Sequence, residues 1–336
     1  MAYVTIRDVA REAGVSVAAV SQILHDKGRF SDETRKLVRD TGESMGYVPD
    51  QRARSMRSSE TKTVGLLVPD LRNPYFADLV SSMEDELYRR GFTTLIGSSG
   101  ESVERQDSFI ENLLGQRIDG AIVVPQGVDS PGVESLVRRG LPLVFVDRRV
   151  PSVDSVPFVV SDPYPGIRSA VAELMRLGHR RIGYVSHPAL GSFSVNEREV
   201  AFRAITGELL ADGETIVVNC DATYESRQRA LDELAESGMS AVVFAYSPDA
   251  ITMLGLMTDR GLEVGADMSV VSFDDIAAFT MMTPSVSVIS QQAETMGRQG
   301  VELLMRQLAG DGEAVAGTQY VPTVFIARKS TGSVLR

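Results

Sequence analysis

Residues 5–24 read TIRDVAREAGVSVAAVSQIL. Thr5 carries a side-chain oxygen suited to capping a helix, and Ile6, Val9, Ala10 and Ala13 recur at the spacing of one buried helical face. Gly14 tolerates the left-handed conformation that ends such a helix. Ser16 then caps a second helix, with Val20 and Leu24 facing inward and Val17, Ala18, Ser21 and Gln22 facing out. Two short helices joined by a Gly-Val turn make a helix-turn-helix, whose second helix presents its first turns to base edges in a DNA major groove.

Working outward, 25–30 reads as a loop, and Ser31 caps a third helix with Leu37, Val38 and Met45 on one face. Gly46-Tyr47-Val48-Pro49 ends this all-α head, because proline lacks a backbone donor and pushes its predecessor out of helical geometry. Residues 50–57 have room for two helical turns, and 58–62 is a polar linker. From Thr63 the pattern changes to short apolar runs alternating with amphipathic helices. Strands are predicted at 64–68, 94–96, 121–124 and 143–146, with helices at 76–90, 103–116 and 132–139 between them. A second such series follows, with helices at 167–177, 198–211, 225–236 and 249–260 and strands at 182–186, 216–219, 241–245 and 269–273. Alternation of this kind specifies parallel sheets with right-handed crossovers. The two series meet near 161–165, which predicts two α/β lobes with a cleft between them. Ligands of open parallel sheets sit beyond the carboxyl ends of the strands, and the cleft collects those ends.

Composition sets outer bounds. The chain has 336 residues, 43% of them apolar, and a net charge of −11. The charge is uneven: residues 1–62 hold 11 Lys and Arg against 9 Asp and Glu, so the acidic excess lies in the rest. A slightly basic head on an acidic body suits a DNA-facing domain carried by a regulatory one. One cysteine, Cys220, permits no intrachain disulfide, and no apolar run approaches the ~20 residues of a membrane span. With no export leader, the expected compartment is the cytoplasm, which disfavours an exported solute receptor of the same fold. Catalysis is also disfavoured. No Gly-x-Gly-x-x-Gly follows a strand, no Walker loop occurs, and three histidines and one cysteine offer no metal-ligand spacing. Neither cofactor nor metal is expected.

The chain resembles the LacI/GalR family of transcription regulators. Beyond 5–24, the resemblance rests on SDETR at 31–35, GYVP at 46–49, ARSM at 53–56 and TVGLLVPDLRNPYF at 63–76. It continues with QRIDG at 116–120, LGHRRI at 177–182 and SVVSFDD at 269–275. It implies a helix-turn-helix head over 1–48, a hinge helix and linker over 49–62, and a periplasmic-binding-protein-like effector and dimerisation domain over 63–336. One lobe would take about 63–161 and 291–321, the other about 162–290 and 322–336. It further implies a repressor that binds a pseudo-palindromic operator as a homodimer. A small polar metabolite in the cleft, a sugar or nucleoside-like molecule, would alter the lobe angle and thereby DNA affinity. With no added heptad helix after 331, a dimer and not a tetramer is expected.

The resemblance also assigns residues. Val17, Ala18 and Gln22 correspond to the family's base readers, and a glutamine can bond an adenine edge twice, worth roughly 1–3 kcal/mol of discrimination. The family most often has arginine at the place of Gln22. Thr5, Ser16, Ser21 and Ser31 have hydroxyls for phosphates as well as for capping. His25 replaces a usual asparagine, and Asp50 stands where an asparagine often meets a phosphate. Met56 takes the place of the leucine that wedges into the minor groove, with linker packing as its alternative. For the effector the resemblance implies Asn73, Phe76, Asp162, Arg198 and Asp274. Three departures mark the pocket: Tyr246-Ser247 for a frequent Asn-Asp pair, Ala222 for an aromatic and Arg227 for a glycine. Tyr246 is then a candidate to supply the missing ring.

Overall fold

The structure, a computed structural model, describes residues 4–48, 60–127, 129–188, 192–310 and 317–334. Asp50 and Met56 lie outside the described residues. The chain divides into two compact units, Met1–Thr61 and Lys62–Arg336.

In the first unit, α1 (Ile6–Glu12), α2 (Val17–Leu24) and α3 (Asp32–Ser44) enclose a core of Val9, Ala10, Ala13, Val20, Ile23 and Val38. Gly14 takes φ +65° between the first two helices, a turn that a β-carbon would strain. Two expected core positions are corrected. Ile23 is the buried partner of Val20, while Leu24 only packs at the core's edge. Leu37 is 51% exposed, because three short helices enclose too small a volume to cover both it and Val38.

The second unit contains two six-stranded sheets. The first is built from β1 (Thr63–Val68), α4 (Pro74–Arg89), β2 (Thr93–Ser98), α5 (Val103–Gly115), β3 (Gly120–Val123), α6 (Pro131–Arg138), β4 (Leu143–Val146) and β5 (Phe158–Asp162). The second follows with α7 (Tyr164–Arg176), β6 (Arg181–Ser186), α8 (Phe193–Leu209), β7 (Glu214–Asn219), α9 (Tyr224–Glu236), β8 (Ala241–Phe244), α10 (Ser247–Asp259), β9 (Ser269–Phe273), α11 (Ala277–Met281) and β10 (Ser287–Ser290). The chain then returns to the first lobe through α12 (Ala293–Leu308) and β11 (Thr318–Pro322), and ends in the second with β12 (Val324–Ile326). The strand orders are β2-β1-β3-β4-β5-β11 and β7-β6-β8-β9-β10-β12, so the lobes repeat one plan.

Each sheet buries both faces, and its central strands are accordingly almost wholly apolar. Val64, Leu66 and Val68 meet α4 and α12 on one face of the first sheet, while Leu67 meets Ile110 and Leu113 of α5 on the other. The lobes share a packing device. Gly65 in β1 and Gly183 in β6 leave room for Leu113 and Leu234, whose methyls lie 2.6 and 2.3 Å from where a β-carbon would sit.

The sheets are parallel with one exception, since β12 runs antiparallel to β10. Only Thr323 separates β11 from β12. A parallel return needs a long crossover, so a strand entering this sheet from the cleft side must run against its neighbours. The crossings between lobes fall between β5 and α7, between β10 and α12, and at Thr323. They are bonded to one another. Thr323 donates its N–H and hydroxyl to the Asp162 carbonyl and accepts the Gly166 N–H, and Gln292 donates to the Pro322 carbonyl. No helix among the described residues is long and apolar enough to cross a membrane.

Candidate functional sites: a helix-turn-helix and an inter-lobe cleft

In α2 the residues that the sequence assigns to base reading lie on the side away from the core. Val17, Ala18 and Gln22 are exposed, Ser21 is half-buried and His25 is exposed just beyond the helix. Ser16 Oγ accepts the Ala19 N–H at 3.1 Å, which leaves its own hydroxyl hydrogen to donate elsewhere. Ser31 caps α3 in the same way through Thr34. Thr5 differs: its hydroxyl and backbone N–H both donate to the Asp8 carboxylate, so its hydrogen is already committed. His25 Nδ1 sits 2.6 Å from the Ser21 carbonyl. The side-chain oxygen of Gln22 lies 2.6 Å from the place of a β-carbon on Gly28, so the glycine turn keeps room for that amide.

A narrow cleft lies between the two sheets. Asn73, Phe76, Arg198, Tyr246 and Asp274 all line it, and the structure adds Tyr75, Asp147, Arg148 and Gln291. Asp162 does not line it. It ends β5 at the first crossing, where its carboxylate accepts the Tyr164 N–H at 3.0 Å and its carbonyl holds Thr323. Asp147 supplies the carboxylate on that side instead.

Local sequence explains how these groups are placed. Asp147 directly follows β4 and Asp274 directly follows β9, corresponding strands of the two sheets. Both take left-handed backbone, φ +64° and +71°, which aspartate tolerates better than most residues. Asp147 accepts the Tyr75 hydroxyl at 3.1 Å. Asp274 accepts from Ser247 Oγ at 2.7 Å and from Gln291 Nε2 at 2.6 Å. Burial pushes the Asp274 carboxyl above its ordinary range, against the pull of Arg198 and these two hydrogen bonds. Gln291 also accepts the Ser161 hydroxyl at 2.7 Å, which joins Asp274 to the first crossing.

Two guanidinium groups complete the lining. Arg198 lies in α8, which begins at Phe193, five residues before the predicted start, so Arg198 is inside the helix and not at its end. It is 4% exposed, donates Nη1 to the Ala245 carbonyl at 2.6 Å and rests over the Phe273 ring. Arg148 follows Asp147 and is clamped by Glu101 and Gln126; burial works against its charge, and Glu101 more than restores it. The Nε atoms of both arginines are buried without a hydrogen-bond partner among the described residues. Each is a donor that a bound molecule can satisfy. Burial pushes the Tyr246 phenol up to about 12, so it remains an O–H donor at neutral pH. With Phe76 as an apolar wall, the lining has the chemistry that suits a small molecule rich in hydroxyl or ring acceptors. The added residues had a sequence signal, because Asp147 and Arg148 stand at the carboxyl end of a predicted strand.

Residues 5–50 match the family described as bacterial regulatory proteins, lacI family, and residues 171–331 match the periplasmic binding protein-like domain. Catabolite control protein A of Priestia megaterium is 30% identical over 308 residues, covering 91% of this chain and 92% of that protein. The ribose operon repressor of Bacillus subtilis (strain 168) is 30% identical over 332 residues, covering 97% and 98%. Among solved structures, the lac repressor dimer bound to operator and the anti-inducer ONPF superposes with a TM-score of 0.83 at 24% identity, covering 99% of this chain and 100% of that one. A regulator's head and a two-lobed body with a polar cleft, matched along nearly the full length of such relatives, show that the chain belongs to the LacI family of bacterial regulatory proteins.

Proposed function

We propose that the protein is a repressor that acts in the cytoplasm, binds a pseudo-palindromic operator as a homodimer, and changes its DNA affinity when a small polar metabolite occupies the cleft. The observation that carries this reading is the convergence of Asn73, Phe76 and Asp147 from one lobe with Arg198, Tyr246 and Asp274 from the other. A molecule bonded to both carboxylates and both arginines holds the lobes at one angle, and the Asp274–Gln291–Ser161 chain carries that constraint to a crossing. Differential affinity for two lobe angles is what effector control requires.

Val17, Ala18 and Gln22 are assigned to base edges, Gln22 to an adenine, with Ser16, Ser21, Ser31, Thr5 and His25 toward phosphates and Met56 toward the minor groove. Asn73, Phe76, Arg198, Tyr246 and Asp274 are assigned to the effector, and Asp147 takes the role first given to Asp162. Relatives that include a ribose operon repressor support a sugar or nucleoside-like ligand. Regulation without turnover fits a cleft whose carboxylates are already hydrogen-bonded. Selection of sites from random duplexes, repeated with Gln22→Ala, tests the DNA half. The variant loses roughly 1–3 kcal/mol of preference at one base pair per half-site, and an unchanged preference rejects Gln22 as a reader. Thermal-shift screening with sugars, sugar phosphates and nucleosides tests the cleft, and a flat response in wild type rejects the effector.

A further inference from the structure

The second lobe holds a cluster that neither the cleft nor the head uses. His187 directly follows β6, Cys220 directly follows β7, and Asp249 lies in the first turn of α10. His187 Nδ1 is 2.6 Å and Cys220 Sγ 3.1 Å from the same oxygen of Asp249. The three donor atoms all lie within 4.8 Å of one another, and all three residues are buried. The other carboxylate oxygen takes Nε and Nη2 of Arg227, each at 2.8 Å. Sequence spacing gave no hint of this set, because its members come from two strand ends and a helix start far apart along the chain. The fold does not require it either. The corresponding positions after β1 and β2 are Pro69 and Ser99, and the Ser99 N–H bonds the Val68 carbonyl just as the Cys220 N–H bonds that of Ser186.

We propose that His187, Cys220 and Asp249 form a binding site for a divalent cation of the zinc class. A nitrogen, a sulfur and a carboxylate oxygen are the donors zinc takes, and at bond lengths of 2.0–2.3 Å they stand about 3.3–3.7 Å apart around a tetrahedral ion. The three atoms therefore need shifts of around an ångström or less to accept one. On binding, Cys220 becomes a thiolate and its proton leaves to solvent. His187 ligates through Nδ1, with its ring proton on Nε2. Asp249 ligates through Oδ2 while Arg227 keeps Oδ1, the kind of outer hydrogen bond that orients a ligating carboxylate. Thiolate and carboxylate balance the dication. Three protein ligands leave one of four positions for water. The His187 ring meets that of Tyr246 edge-on at 5.2 Å, so occupancy reaches a wall of the cleft.

The test uses the full-length protein, stripped with a chelator and titrated with Co²⁺. Binding of one cation per chain, with a thiolate-to-cobalt charge-transfer band that Zn²⁺ abolishes, is the expected result. Cys220→Ala loses the band, and both it and His187→Gln hold Zn²⁺ at least about tenfold more weakly, with circular dichroism reporting that each is folded. A wild-type titration without the band overturns the proposal even if both variants fail to fold. So does a folded variant with undiminished affinity. Neither result bears on the effector, because no sugar or nucleoside is present.

Discussion

The two lobes are one scaffold used twice. Strand order, the glycine at the third position of the first central strand, and a left-handed aspartate after the fourth are common to both. They part company at the strand ends. The first lobe places Pro69 and Ser99 where the second places His187 and Cys220, and at these positions the second encloses a four-membered polar cluster around a carboxylate. Packing is therefore what the repeat preserves, while chemistry resides in the few residues just beyond each strand.

The largest effect should come from breaking what the second lobe has at these positions. Asp249→Ala leaves His187 buried, and Arg227 largely so, without their shared acceptor, and should cost about 3–5 kcal/mol in urea unfolding. A loss below 1 kcal/mol would mean that the cluster is no more constrained than the first lobe's Pro69 and Ser99. Next, Gly65→Val and Gly183→Val each drive a side chain into a buried leucine, and each should lose about 1–3 kcal/mol. Tolerance of one and not the other would show that the packing is less alike than the backbones. The smallest effect concerns Asp274. Its folded carboxyl titrates above the unfolded one, so the native state binds the extra proton, and wild-type stability falls as pH rises from the ordinary carboxylate range through the raised folded value. Asp274→Asn lacks that slope, and melting curves over a pH series should show its difference from wild type closing toward acid.

What could be read in advance follows the same division. The capped helices of the head and the alternating elements carry strong periodic signals, the first crossing falls where the two series meet, the two returns follow from the family resemblance, and five of the six effector residues line the cleft. Helix α12 escaped because Gly297 and Gly300 occupy buried positions on it, and glycine contributes nothing to an apolar stripe. β5 escaped because its five residues directly adjoin a crossing. Asp162 was misplaced for a related reason: its residue type suits a ligand, but the backbone turns there, and the turn takes up one carboxylate oxygen and the carbonyl. The His187–Cys220–Asp249 cluster was illegible because only strand order, and not spacing along the chain, makes its members neighbours.

Thr323 bears on the kind of motion the body allows. A single amino acid passes between the sheets there, and its N–H and hydroxyl are fastened to the Asp162 carbonyl, while Gln292 is tied to Pro322. Three plies stitched side by side behave like the spine of a book. The covers can swing about it, but sliding one past the other would tear the stitching. Whatever enters between the pages can thus change only how wide they stand, which gives the molecule one mechanical coordinate to report.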